Sequence, residues 1–287
     1  MQRLTESQVS SALLDQPRFD GRPAKTFICS TPRSGSYLLC RFMIHAGLGV
    51  PHEYFNPILM REIGARLGLG DTLRDLQWRP RHPFDAFPPR KWARQAEMRF
   101  LDGYVRELLP IRCQRGIFAA KIHFDHFLKV LDNDIGHALL DGGLFIHLYR
   151  ENLLSQAVST RVSNLTGRWS VDETLTTAPD PNPDFFNRPA IDGLIDGLAE
   201  DDKGWRVFFA QNCIDAMSIS YENLCRDAPG VIREIGRRMG LEPDALRTDY
   251  REDGPPAETD PSVPSKKKVA AHYVERGRTV RGWHAAN

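Results

Sequence analysis

Four short runs of apolar residues along the chain have the length and composition of buried strands. They are Thr26–Ser30, Gly116–His123, Leu144–Arg150 and Ala216–Tyr221. Apolar residues at helical spacing predict helices between them, at Tyr37–Leu48, Lys91–Leu109, Asn152–Ser163 and Asp227–Leu241. Because strands and helices alternate, the pattern predicts an α/β fold with a central, mostly parallel sheet flanked by helices.

The rest of the chain suggests a single domain with extensions. We expect an N-terminal extension over 1–24, a domain over 25–250, and a linker with a basic tail over 251–287. The linker interpretation rests on the Pro- and acid-rich stretch Asp253–Pro264, and Lys266–Trp283 after it reads as a solvated basic tail. Two irregular stretches, Asp71–Arg90 and Gly167–Pro189, are long enough to be functional lids or disordered loops.

Charge and cysteine content limit the classes of partner. The chain has 38 basic and 37 acidic residues, so its net charge of +1 gives no reason to expect a nucleic-acid partner. Its five cysteines lack metal-ligand spacing, which is typical of thiols in a reducing compartment. The first residues, Met1–Lys25, lack an apolar export signal, and no apolar run is long enough for a transmembrane segment. We therefore expect a cytoplasmic protein.

A polar segment, Thr31-Pro32-Arg33-Ser34-Gly35-Ser36, joins the first predicted strand to the first predicted helix. Backbone N–H groups at a helix start, two serine hydroxyls and a guanidinium would together suit a phosphate. An ordinary strand-to-helix turn, with serine as the cap and glycine at the bend, explains the same residues equally well. The segment lacks the GxxxxGK[ST] spacing of nucleoside-triphosphate hydrolases.

The longer stretch Phe27–Leu39, FICSTPRSGSYLL, resembles the 5′-phosphosulfate loop of sulfotransferases. Its form is that of the bacterial trehalose 2-sulfotransferase family and the related lipopolysaccharide or nodulation-factor sulfotransferases. Further similar blocks follow in the family's order, at Glu53-Tyr54-Phe55, Gly116–Lys121, Arg150–Ser159, Gly204-Trp205-Arg206 and Tyr221-Glu222-Asn223-Leu224. The resemblance implies a P-loop-NTPase-like sulfotransferase fold and an enzyme that uses 3′-phosphoadenosine 5′-phosphosulfate as its co-substrate.

The resemblance also implies which residues bind this donor. The 5′ loop would be Pro32, Arg33, Ser34, Gly35, Ser36 and Tyr37. Arg150 and Ser159 would bind the 3′-phosphate, with Ser155 as an alternative to Ser159, and Tyr221 would contact the adenine. From residue chemistry alone, Arg150 is equally a surface arginine and Tyr221 a packing residue.

Sulfuryl transfer to a hydroxyl needs a base for the hydroxyl proton and positive charge near the leaving group. By resemblance Glu53 is the base, while Arg33 and Lys121 supply the charge, so no metal is required. His123 is a rival base, because Lys121 and His123 have the Lys-x-His spacing of animal cytosolic sulfotransferases. Residues two apart on a strand lie on the same face. Three further histidines, His45, His52 and His126, are expected to be structural or solvated.

A carbohydrate or glycolipid hydroxyl is the acceptor that the resemblance implies. Dimers occur in the family, so a homodimer is one open alternative for the assembly. Aromatic and basic residues of the irregular stretches could line the acceptor pocket, although such residues more often serve packing: Trp78, Arg79, Arg81, Trp92 and Trp169. Two other classes compete with a sulfotransferase. A kinase-like phosphotransferase needs a loop lysine and a Mg²⁺-binding acid that the sequence does not present. A non-catalytic nucleotide-binding relative would be expected to lack Glu53 and Arg33.

Overall fold

A five-stranded sheet forms the centre of the protein. The computed structural model describes residues 6–70, 90–131, 134–169, 180, 183–251 and 263–280, with the side chains of all but 6–7, 90–97 and 276–280. The strands are β1 (Ala24–Ser30), β2 (Cys113–Gln114), β3 (Ile117–His123), β4 (Leu144–Tyr149) and β5 (Met217–Ser220). Their order is β2-β3-β1-β4-β5, and all neighbours are parallel except β2 and β3. The predicted α/β class, with its mostly parallel sheet, is therefore confirmed.

Helices flank this sheet along the described parts of the chain. They are α1 (Glu6–Ser10), α2 (Ser36–Ala46), α3 (Pro57–Arg66), α4 (Arg90–Ile111), α5 (Phe124–Leu131), α6 (Asp134–Leu140), α7 (Leu153–Thr166), α8 (Arg188–Gln211), α9 (Tyr221–Arg226), α10 (Ala228–Arg238) and α11 (Lys266–Val280). Short 3₁₀ turns lie at Ala12–Leu14 and Pro243–Ala245. The sequence predicts α2, α4, α7 and α10, but not α8, whose 24 residues carry Trp205.

Both faces of the sheet are buried, which explains why its strands are continuous apolar runs and do not alternate with polar residues. Along β1, Phe27 and Cys29 belong to the core on one face, and Ile28 belongs to the core on the other. The first core includes Trp205, and the second includes Met43 of α2. The strands are thus fixed in a rigid layer between helices.

The parallel register brings polar residues to one edge of the sheet. Ser30, the last residue of β1, pairs with His123 at the end of β3 and with Leu148 near the end of β4. The chain segments that leave these strands therefore emerge side by side at the carboxyl-terminal edge. In open α/β sheets this edge is where ligands bind.

Both ends of the described chain pack against the domain. The fully buried Arg112 donates hydrogen bonds to the carbonyls of Val9 (2.7 Å) and Ser11 (2.6 Å). At the other end α11 packs on α7 and buries Val269 completely, although the sequence indicated a solvated tail here. In the described part of the chain, no helix combines the length and apolar character needed to cross a membrane.

Candidate functional site

The loop between β1 and α2 has the features of an anion cradle. Gly35 precedes α2 with φ 87°, and no side chain caps the first turn of the helix. The Ser34 side chain is fully buried, yet its Oγ has no hydrogen-bond partner among the described residues. Ser36, also buried, is the first residue of α2. A buried hydroxyl and free backbone N–H groups at a helix start are donors that suit a phosphate or sulfate oxygen.

Two side chains that the sequence did not assign hold this loop in place. Gln156 of α7 is buried, and its Nε2 donates to Thr31 Oγ1 and to the Pro32 carbonyl, both at 2.7 Å. Trp205 of α8 donates from Nε1 to the Ser30 carbonyl at 3.2 Å. Gln156 is one of several buried polar residues of α7, so no local pattern in the sequence distinguished it. The loop is thus fixed from two sides before any ligand binds.

A cluster of cations surrounds the Ser159 hydroxyl. Arg33 Nε and Lys266 Nζ each donate to Ser159 Oγ at 3.0 Å, and Arg150 Nη1 donates to the Arg33 carbonyl at 3.4 Å. Lys266 is an exposed residue overall, but partial burial, together with the charges of Arg33 and Arg150, lowers its pKa to about 8. These contacts gather positive charge at Ser159 and not at Ser155, which leaves a site suited to an anion.

Arg150 is held by the segment that begins α9. Its guanidinium lies over the Tyr221 ring, 4.6 Å from the ring centroid, and its Nε is 3.9 Å from Glu222 Oε1. The Tyr221 ring also packs against the phosphate loop, because a Cβ on Gly35 would lie only 2.3 Å from Tyr221 Cδ2. Glycine is therefore required at position 35 by both its positive φ and this contact.

A buried carboxylate cluster lies at the same edge of the sheet. Glu53 Oε1 accepts hydrogen bonds from Lys121 Nζ, from His123 Nε2 at 3.2 Å and from the Tyr37 hydroxyl at 3.2 Å. Its Oε2 accepts from Asn56 Nδ2 at 2.9 Å. Burial raises the pKa of Glu53, but Lys121 and His123 outweigh it and hold the pKa well below its usual value.

The two strand residues of this cluster come from one face of β3, as their spacing predicts. Lys121 is buried, with its Nζ 3.4 Å from the centroid of the Tyr37 ring. His123 Nδ1 lies 3.1 Å from the Ser30 carbonyl, so both ring nitrogens of His123 have protein partners. The basic residues that contact the Glu53 carboxylate are Lys121 and His123, whereas Arg33 contacts Ser159.

Of the other histidines considered from the sequence, His126 lies beside the cluster, with its ring centroid 6.0 Å from that of His123, and His52 precedes Glu53 in the chain. His45 pairs with Asp249, His126 with Asp125, and His52 with the Ser10 hydroxyl at 2.8 Å. The Trp169 carbonyl accepts a hydrogen bond from Arg33. Trp78, Arg79 and Arg81 lie outside the described residues, as does the Trp92 side chain.

Comparisons with known proteins found similar sulfotransferases. Residues 120–253 match the family model described as Stf0 sulphotransferase. The trehalose 2-sulfotransferase of Mycobacterium tuberculosis (strain ATCC 35801 / TMC 107 / Erdman) is 30% identical over 103 residues, which are 35% of this chain and 36% of that protein. The trehalose 2-sulfotransferase of Mycolicibacterium smegmatis is 23% identical over 257 residues, which cover 77% of this chain and 86% of that protein.

A solved structure is also similar, the sulfotransferase domain from the Synechococcus PCC 7002 olefin synthase. The match has 19% identity and a TM-score of 0.41, and it covers 90% of this chain and 98% of that one. The family model and the two relatives confirm the resemblance drawn from the sequence. The chain is thus similar in sequence to sulfotransferases, and the family model covers just under half of it.

Proposed function

We propose that this protein is a sulfotransferase that moves a sulfuryl group from 3′-phosphoadenosine 5′-phosphosulfate to a hydroxyl of a carbohydrate or glycolipid. One observation carries the proposal. An anion cradle, a cation cluster and a buried carboxylate lie at the same edge of one sheet, at Ser34, Ser159 and Glu53 respectively. A donor with two separate phosphate positions needs two anion sites, and its acceptor needs a base.

The 5′-phosphosulfate would bind at the loop before α2. The unpartnered Ser34 Oγ and the uncapped first turn of α2 supply the donors that this group requires. The 3′-phosphate would bind at Ser159, between Arg150, Arg33 and Lys266. Tyr221 packs against Gly35 and beneath Arg150, which supports its proposed contact with the adenine.

Glu53 is the base that the hydrogen bonds favour. Both nitrogens of His123 are engaged, with Ser30 and with Glu53, so this ring acts as a partner of the carboxylate. In the reaction the acceptor oxygen bonds to sulfur while its proton passes to Glu53. The bond from sulfur to the bridging oxygen breaks, and that oxygen leaves with 3′-phosphoadenosine 5′-phosphate. Lys121 is the cation beside the carboxylate and stabilises the charge that builds up.

A sugar acceptor is proposed because both curated relatives are named trehalose 2-sulfotransferases. Trp78, Arg79 and Arg81, which were expected to contact the acceptor, lie outside the described residues. The names of the relatives are therefore the support for a sugar acceptor. The cytoplasmic location and the homodimer stay predictions of the sequence.

Thermal unfolding with nucleotides tests the donor assignment. A ligand that binds the native state raises the unfolding temperature with its concentration. We expect 3′-phosphoadenosine 5′-phosphate to raise it and ATP with Mg²⁺ to leave it nearly unchanged. Strong stabilisation by ATP with Mg²⁺, and none by 3′-phosphoadenosine 5′-phosphate, would support a kinase-like phosphotransferase and reject the proposal.

A further inference from the structure

The Asn56 side chain joins the buried carboxylate to the start of a helix. Its Oδ1 accepts a hydrogen bond from the Ile58 backbone N–H at 3.0 Å and so caps α3. Its Nδ2 donates to Glu53 Oε2 at 2.9 Å. Because a backbone N–H needs an acceptor and a carboxylate needs a donor, these two contacts fix the orientation of the amide.

The two oxygens of Glu53 have different surroundings. Oε1 accepts from Lys121, His123 and Tyr37, whereas Oε2 accepts from Asn56 alone among the described residues. A carboxylate oxygen has about two lone-pair positions in its plane. Three donors therefore saturate Oε1, and Oε2 keeps a lone pair that can take a proton.

We infer that Asn56 is a positioning residue that presents Glu53 Oε2 to the acceptor hydroxyl. This inference rests on the proposed role of Glu53 as the base. During transfer the acceptor O–H bond breaks and an H–Oε2 bond forms, at the lone pair that Asn56 leaves free. The acceptor oxygen bonds to sulfur, and the bridging oxygen leaves with 3′-phosphoadenosine 5′-phosphate. The amide of Asn56 holds the carboxylate plane throughout, because its other end is fixed to α3.

Asn56→Asp isolates this role. Aspartate caps a helix as well as asparagine does, so α3 should be retained. The substitution replaces the donor beside Glu53 Oε2 with a second carboxylate oxygen, and two carboxylates at hydrogen-bond distance share a proton. The pKa of Glu53 then rises, and the acid limb of the kcat profile should move up by roughly one pH unit or more.

The matched control is Asn187→Asp. Asn187 caps α8 in the same way, through Oδ1 and the Ala190 N–H at 3.0 Å, away from the carboxylate cluster. Its pH profile should superimpose on that of the wild type. A profile of Asn56→Asp that also superimposes on the wild type, or an equal shift in both variants, overturns the inference.

A second variant and a second measurement keep the test decisive if Asn56→Asp folds poorly. Asn56→Ser retains a capping hydroxyl but cannot reach Glu53 Oε2, so kcat should fall roughly tenfold with donor affinity unchanged. A ¹³C NMR titration of the Glu53 carboxyl follows its protonation without any acceptor. Unchanged kcat in Asn56→Ser contradicts the inference. Failure of the proposed function is recognised separately, by Glu53→Gln. If Glu53→Gln keeps wild-type activity, Glu53 is not the base, whatever the Asn56 variants show.

Discussion

Lys121 and Glu53, 68 residues apart in the chain, form an ion pair buried at the carboxyl-terminal edge of the sheet. The same Lys121 ammonium lies against the Tyr37 ring, whose hydroxyl donates to the same carboxylate oxygen. The pair therefore connects the start of α2, β3 and the segment before α3 through one network of hydrogen bonds. Each partner compensates a charge that would otherwise be costly to bury.

Loss of Lys121 should destabilise the fold. Lys121→Met leaves the Glu53 carboxylate buried with its main compensating charge removed, and breaking such a pair costs about 3–5 kcal/mol. Urea unfolding at pH 7 measures this difference in the free energy of unfolding. The matched control is Lys203→Met, which removes an exposed pair with Glu200 on α8 and should leave the unfolding midpoint unchanged. Equal changes in the free energy of unfolding for the two substitutions would contradict a stabilising role of the buried pair.

His52 should make the stability depend on pH. Burial lowers its pKa from 6.5 to about 3, so the unfolded chain binds a proton that the folded protein does not. As the pH falls from about 6.5 toward 3, stability should fall, by about 1.4 kcal/mol for each pH unit.

His52→Gln keeps a side chain that can bond to Ser10 and does not titrate. Its stability should be flatter than that of the wild type between pH 6.5 and 4.5, as measured by urea unfolding across that range. The contribution of Glu53 is constant across this window, because its pKa is held well below 4.5 in the folded state and its stabilisation is lost only at lower pH. If the stabilities of the wild type and of His52→Gln depend on pH in the same way, the lowered pKa of His52 is contradicted.

Arg112 should be essential for holding the N-terminal segment. Its buried guanidinium binds the carbonyls of Val9 and Ser11 and lies 3.0 Å from Asp15 Oδ1. Arg112→Met leaves these groups unpaired, with a cost of about 3–5 kcal/mol in the free energy of unfolding. Limited proteolysis should then cleave the first twenty residues faster. Arg106→Met, an exposed change on α4, the helix that precedes Arg112, should alter neither measurement.

Lys266 should distinguish donors that carry a 3′-phosphate from donors that lack it. Lys266→Met should weaken binding of 3′-phosphoadenosine 5′-phosphate by roughly tenfold or more, and leave binding of adenosine 5′-phosphosulfate unchanged. The wild-type affinity should also fall as the pH rises above about 8, since the free ammonium then loses its proton. Titration calorimetry on wild type, Lys266→Met and the neighbouring Lys267→Met checks both statements. Equal losses for the two nucleotides would assign Lys266 a structural role.

Local patterns predicted the strands and the turn before α2, because a buried parallel strand is a continuous apolar run and a tight turn needs glycine. The Lys121 and His123 face followed from strand geometry in the same way. Gln156, Arg112 and Lys266 were missed because their partners are distant in sequence; Lys266 lies 107 residues from Ser159. Only the folded chain brings such residues together.

Helix α8 was missed for a different reason. Three glycines interrupt its apolar pattern, and glycine lowers helix propensity. Its start signals were nevertheless visible, since Asn187 caps the helix and Pro189 lies in its first turn. Gly204 is itself required by packing, because a Cβ there would lie 2.3 Å from the Phe124 ring.

The central claim is that Glu53 drives sulfuryl transfer from 3′-phosphoadenosine 5′-phosphosulfate to a sugar hydroxyl. A mass-resolved transfer assay over trehalose, other disaccharides, glycolipids and small alcohols tests it most directly, with wild type, Glu53→Gln and His123→Ala compared on the best acceptor. We predict a sulfated sugar with the wild type, and a loss of about 10²–10⁴-fold in kcat for Glu53→Gln with nucleotide affinity unchanged. Near-wild-type turnover by Glu53→Gln, or no sulfated product from any acceptor, would contradict the account.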